Sequence, residues 1–227
     1  MFVAQVASLL GSAMAFWYMK HKIEKSTVAE FLKFKVSQFA FGGILGVIII
    51  TTCIAMLAVM QFIEVVYVGF DSIPFSIAFL ALVAIAEELV FRGYVLTTLF
   101  EKTKPLTAIL VSSLIFSSIH VFNNHFGLMG FINIFLSGIL LALVYLKYNN
   151  LSAPVGMHFT WNFFQSLFGF AVSGQSVGGL FTIHHPQNNE LITGGAFGLE
   201  GSALLIPVIL IGIWYLVKST DSKIIGR

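Results

Sequence analysis

Ala-Glu-Glu-Leu-Val-Phe-Arg-Gly-Tyr, residues 86–94, places two carboxylates and a guanidinium inside an apolar run. Residues 75–86 carry no charge, and Glu87, Glu88 and Arg92 then fall within six residues. In a bilayer each such group costs roughly 2.5–3.5 kcal/mol near a helix centre on insertion scales. Charges at that cost mark a functional site, so this stretch frames the rest of the chain.

The chain around it is apolar. Of its 227 residues 58% are hydrophobic and only 10% are charged, and its mean hydropathy is +0.94. A soluble domain carries about 25% charged residues. A single soluble core of this size cannot hide so much apolar surface. The expected class is therefore all-α: a polytopic membrane helix bundle, with residues 1–227 as a single integral membrane domain. The single Cys53 excludes an intramolecular disulfide and a cysteine metal site. A net charge of +2 gives no basis for a nucleic-acid partner. The apolar stretch 1–19 has no basic residues before it, and Lys20, Lys22 and Lys25 follow it. That order reads as a retained first span rather than a cleaved signal.

Seven apolar spans are expected: roughly 1–19, 38–60, 74–100, 105–122, 127–147, 152–173 and 202–218. An eighth, or a re-entrant piece, would need a partner to keep the charge pattern. Eleven of the twelve Lys and Arg lie in or beside alternate loops, after spans one, three, five and seven. The loops near 61–73, 122–127 and 174–201 contain none. The positive-inside rule then puts the N-terminus outside and the C-terminus in the cytoplasm.

Between the spans, Lys20 to Lys35 reads equally as an interfacial amphipathic helix or a solvated loop. Gly42 and Gly46 form a GxxxG that permits close helix contact. The Gly-rich stretch 174–201 reads as a long outer loop, and its adjacent His184 and His185 read as solvated side chains rather than a metal site. No internal repeat is evident, which counts against an inverted-repeat transporter.

Three polar pairs spaced i, i+4 lie inside the spans: Glu88 with Arg92, Phe116 with His120, and His158 with Asn162. Residues four apart share a helix face. Any one pair reads well as a structural ion pair or an interhelical hydrogen bond. Their joint occurrence on three spans favours a shared wet cavity. A carboxylate there can act as general base on water, with a His to share the proton. A second His and an Asn can donate to an oxyanion. Two His and one Glu also match a catalytic zinc set, with Glu87, His120 and His158 as candidates. The chain has no HExxH, so that set would have to assemble from three helices. The residues alone leave hydrolysis and proton- or ion-coupled transport open.

The order Glu87-Glu88-x-x-x-Arg92, Phe116-x-x-x-His120, His158-x-x-x-Asn162 resembles the CPBP, or Abi, family of intramembrane proteases. That family includes the type II CAAX prenyl endopeptidases. The resemblance covers residues 80–166 well, and it places a catalytic core at about 74–173. It implies that Glu87 activates water with His120 as its partner, and that His158 and Asn162 stabilise the oxyanion. Glu88, Arg92 and Phe116 are implied as supporting residues. The cofactor is implied to be none or one divalent metal such as zinc, since the family has been described both as metalloproteases and as glutamate proteases.

The expected function is cleavage of a membrane-associated peptide or a lipidated protein, in a prokaryotic cell membrane. The alternatives are a non-catalytic bacteriocin-immunity or membrane-peptide-binding protein, and a proton-coupled transporter. One tension follows from the boundaries. Glu87 falls mid-span, His158 nearer the inner face and His120 nearer the outer face. Convergence calls for a shifted boundary near 101–110.

Overall fold

Pro74 and Pro105 each open a membrane helix, because a proline in the first turn removes only an N–H that would lack a partner there anyway. In the computed structural model, residues 2–23, 33–70, 72–187 and 189–220 are described. Most of the Lys20–Lys35 segment read as interfacial helix or loop lies outside the described residues.

The chain begins with α1 (Phe2–Tyr18), which runs into a short π-helical turn, Met19–Ile23. Next come α2 (Val36–Val59) and the strand β1 (Glu64–Tyr67). Then α3 (Ile73–Glu88), a π-helical stretch (Leu89–Leu96) and α4 (Thr97–Lys102) form one continuous helix. Helix α5 (Pro105–Ile119) ends in a 3-10 turn, His120–Phe122. Helices α6 (Leu128–Tyr148) and α7 (Ser152–Leu167) follow, then the strand β2 (Phe181–His184). The short α8 (Glu190–Thr193) and α9 (Leu205–Ser219) close the chain.

Five helices among the described residues are long and apolar enough to cross a membrane: Phe2–Lys22, Val36–Val59, Ile73–Lys102, Pro105–Phe122 and Leu128–Tyr148. The helical membrane bundle is as expected, but the count of seven rests on two helices that are shorter than anticipated. Where 152–173 was expected to span, α7 stops at Leu167 after 16 residues. Where 202–218 was expected, α9 has 15 residues. At 1.5 Å per residue α7 reaches about 24 Å, short of a ~30 Å hydrocarbon core. Helix α7 is mostly buried in protein, so it need not be apolar all round. After Leu167 the backbone reverses at Gly169, whose φ of 91° is left-handed. Irregular backbone is tolerated at membrane depth where it lines a cavity, as residues 172–175 do here.

The loops sort into two sets. β1 pairs antiparallel with β2 in the register Glu64↔His184 to Tyr67↔Phe181. Asn123 Nδ2 donates to the Ser173 carbonyl and the Gly174 N–H donates to the Phe197 carbonyl. These contacts join the three loops that carry no Lys or Arg. In the other set, the Lys35 N–H donates to Ser152 Oγ, Asn150 Nδ2 to the Lys33 carbonyl, and Lys147 Nζ to the Ser219 carbonyl. The alternation of charge along the chain therefore reappears as contacts between loops. The stretch 174–201, expected as a long outer loop, carries β2 and two 3-10 turns.

Helix α7 is carried against α2 at the GxxxG. A Cβ on Gly42 would collide with the Ala153 carbonyl, and one on Gly46 with Thr160 Oγ1 and the Met157 carbonyl. Thr160 Oγ1 in turn donates to the Gly43 carbonyl. Gly46→Leu is expected to lower stability by about 1–3 kcal/mol, by overpacking this contact. It is also expected to reduce activity, since α7 bears His158 and Asn162. Gly11→Leu, at a glycine with open space around it, should leave the thermal midpoint in detergent unchanged.

Candidate active site

Glu87 and Glu88 stand at the end of α3, where the helix widens into its π-helical stretch. Such stretches recur at functional sites. Here it holds Arg92 and Gly93, and a Cβ at Gly93 would press on the Phe16 ring of α1. The glycine after Arg92 thus lets α1 approach the site helix.

The depth conflict read from the spans resolves without moving any boundary near 101–110. Helix α5 starts at Pro105, as expected. Glu87 lies as far before Lys102 as His120 lies after Pro105, so the two face each other across an antiparallel helix pair. The helix carrying Glu87 is 30 residues long, and its middle is level with the end of the shorter α5.

Glu88 is fully buried and Arg92 is 2% exposed. Arg92 Nη1 donates to Glu88 Oε1 at 2.7 Å, and Nη2 to the Gly138 carbonyl at 3.3 Å. His158 Nδ1 lies 2.8 Å from the same Glu88 oxygen. A carboxylate accepts, so this nitrogen carries the proton and donates. His158 Nε2 then faces Glu87, 3.8 Å from its Oε2, which is ion-pair range but too long for a hydrogen bond. Glu88 therefore orients His158 and holds Arg92.

Phe116 sits between these groups. Its ring lies 4.5 Å from the Arg92 guanidinium, a cation–π contact. The rings of His120 and His158 meet it edge-on, with centroids 4.9 and 6.2 Å away. His120 Nδ1 donates to the Phe116 carbonyl at 2.7 Å, which leaves Nε2 as the free nitrogen.

One cavity of about 160 Å³ is lined by Glu87, His120, His158 and Asn162 together. Asn162 is 3% exposed, and its amide makes no hydrogen bond among the described residues. Asn123 and Gln175 line both this cavity and an open depression at the end where the cation-free loops meet. Glu87 is the more accessible of the two adjacent carboxylates, with 26% of its side chain exposed.

Glu200 was not singled out in the sequence, yet it lines the same cavity. Its Oε2 accepts from the backbone N–H and the hydroxyl of Ser173, both at 2.7 Å. Its Oε1 accepts from the Trp161 indole at 3.3 Å. The sequence signal was weak: one of two acids, with Glu190, in a loop without Lys or Arg, beside the last apolar span. Gln5 of α1 also reaches the cavity.

The candidate metal set has the right donor chemistry. Each imidazole has its Nδ1 held by an oxygen, the arrangement common around ligating histidines. The grouping does not follow: no three His, Cys, Asp or Glu side chains cluster as a ligand set among the described residues. No step is therefore assigned to a metal here. His184 lies opposite Glu64 in the sheet, and partial desolvation pushes the His185 imidazole below its usual range, against the pull of Glu190.

The geometry and the three motifs lead to a comparison with known families. Residues 69–164 match the family model of the type II CAAX prenyl endopeptidase Rce1-like proteins. This is consistent with a CPBP-family protease and bears out the resemblance read from the motifs. The Rce1-like segment contains every motif residue from Glu87 to Asn162, whereas Glu200 lies outside it. The match supports a membrane endopeptidase function for the chain. No curated protein and no solved structure matches.

Proposed function

We propose that this chain is an intramembrane endopeptidase that hydrolyses a peptide bond of a membrane-associated peptide or lipidated protein. The observation that carries this reading is the single cavity lined by Glu87, His120, His158 and Asn162. In this reading Glu87 takes a proton from a water, and the water oxygen attacks the scissile carbonyl. The free Nε2 of His120 helps to hold that water. The resulting oxyanion accepts from the Asn162 amide, whose hydrogen-bonding capacity is unused among the described residues. It also accepts from Nε2 of His158 in its imidazolium form. Glu87 then returns the proton to the leaving amine, so atoms and charge balance without a covalent enzyme intermediate. Glu88, Arg92 and Phe116 hold the two imidazoles in place.

The cation-rich loops would face the cytoplasm, with the N-terminus outside. The open depression beside Asn123 would then admit water and peptide from the opposite face.

The test is cleavage of lipid-anchored peptides by the purified chain in detergent, with products identified by mass spectrometry. His120→Ala is expected to lower kcat/KM by about 10²-fold or more. Full activity of that variant would overturn the assignment. Cleavage is expected to survive a strong chelator, with no stoichiometric metal by elemental analysis. Chelator inhibition reversed by added zinc would replace the metal-free chemistry with a metal site.

A further inference from the structure

We propose that Glu200 is a specificity-determining residue, and that the cavity selects substrates with a basic side chain, lysine or arginine, beside the scissile bond. This rests on the protease reading above and adds a substrate class to it.

Glu200 is 5% exposed, and its three hydrogen-bond donors among the described residues are neutral: the Ser173 amide, the Ser173 hydroxyl and the Trp161 indole. Among the described residues no Lys or Arg lines the cavity, and Arg92 is committed to Glu88. The ionisable groups facing the space are Glu87, Glu200, His120 and His158. A carboxylate taken out of water without a cation is costly, and the least costly complement is a cation supplied by the ligand.

A second observation shows a site prepared for a ligand. Asn162 is buried, lines the same cavity, and its amide has no partner among the described residues. Trp161, which donates to Glu200, lines the same cavity as Asn162, so Glu200 shares that space with the groups proposed to act on the peptide bond. The position of Glu200 is itself fixed. Asn133 Nδ2 donates to the carbonyls of both Glu200 and Ser202, at 2.8 Å each. Among the described residues Oε1 has one donor, at 3.3 Å. It retains capacity for the short charge-assisted bonds that an ammonium or guanidinium makes.

The experiment compares lipid-anchored peptides that differ only by Lys, norleucine or Glu, scanned through each position near the cleaved bond. The wild-type protein should favour Lys over norleucine at one position by roughly tenfold to a hundredfold in kcat/KM. Glu200→Gln keeps an acceptor for Ser173 while removing the charge. It should erase that preference by lowering kcat/KM on the Lys peptide to the level of the norleucine peptide. Glu200→Lys should turn the preference towards Glu.

Equal loss on all peptides in Glu200→Gln, with a lowered thermal midpoint, would make Glu200 a structural residue and overturn the proposal. A wild-type protein that cleaves without preferring Lys would overturn it while leaving the protease reading intact. Failure to cleave any peptide would instead strike the protease reading itself.

Discussion

Glu87→Gln is expected to slow peptide cleavage by about 10²–10⁴-fold in kcat, the contribution typical of a general base. The substitution is nearly isosteric, but an amide cannot take the proton of a water. Two features make this a test of chemistry rather than of folding. Glu87 is partly open to the cavity, and its nearest charged neighbour, His158 Nε2, is 3.8 Å away and not hydrogen-bonded to it. The fold should therefore tolerate the loss of charge, with a thermal midpoint in detergent close to that of wild type. Glu87→Asp retains a carboxylate but draws it back by one methylene, so intermediate activity is expected. Single-turnover measurements at saturating peptide separate the chemical step from binding. A Glu87→Gln protein that cleaves at the wild-type rate would remove Glu87 from the mechanism. A variant that still protects cells while failing to cleave would favour the non-catalytic immunity reading.

The site helices were legible because membrane burial makes polar residues conspicuous. Glu87, His120, His158 and Asn162 stand out against apolar neighbours, and i, i+4 spacing already assigns a face. The structure brings all four to one cavity. Their depths were misjudged from span midpoints, because a 30-residue helix and an 18-residue helix do not share a midpoint when a tight turn joins them at one end. The turn, not the span centre, sets the level.

What sequence did not show is non-local. Pairing of Glu64–Tyr67 with Phe181–His184 joins segments far apart in the chain, and four-residue strands have no periodicity to read. The π-helical stretch at Leu89–Leu96 has the same apolar composition as an α-helix. Glu200 lies in a Gly-rich stretch whose composition resembles a solvated loop, and two successive 3-10 turns, Gly195–Phe197 and Leu199–Gly201, return it to the cavity. By contrast Gly42 and Gly46 were readable as a contact, and packing against Ala153, Met157 and Thr160 gives that contact a definite partner.

Arg92→Met is expected to produce the largest loss of stability in the chain, about 3–5 kcal/mol. The reason is the carboxylate left behind rather than the contact removed. Glu88 is fully buried, and its Oε2 has no hydrogen-bond partner among the described residues. All its support arrives at Oε1, from Arg92 and His158. Without the guanidinium, a buried charge depends on one imidazole, and the cation–π contact to Phe116 is lost as well. Glu88→Gln is expected to cost less, because Arg92 keeps the Gly138 carbonyl and the Phe116 ring, and His158 keeps an acceptor. The double variant Glu88→Gln/Arg92→Met should recover much of the loss seen in Arg92→Met alone, since no buried carboxylate remains. Thermal midpoints of the four proteins in one detergent complete a double-mutant cycle. Losses that simply add would show that Glu88 and Arg92 are not coupled. Strong coupling with partial recovery of folding but low activity would instead separate two duties of Glu88, balancing Arg92 and orienting His158.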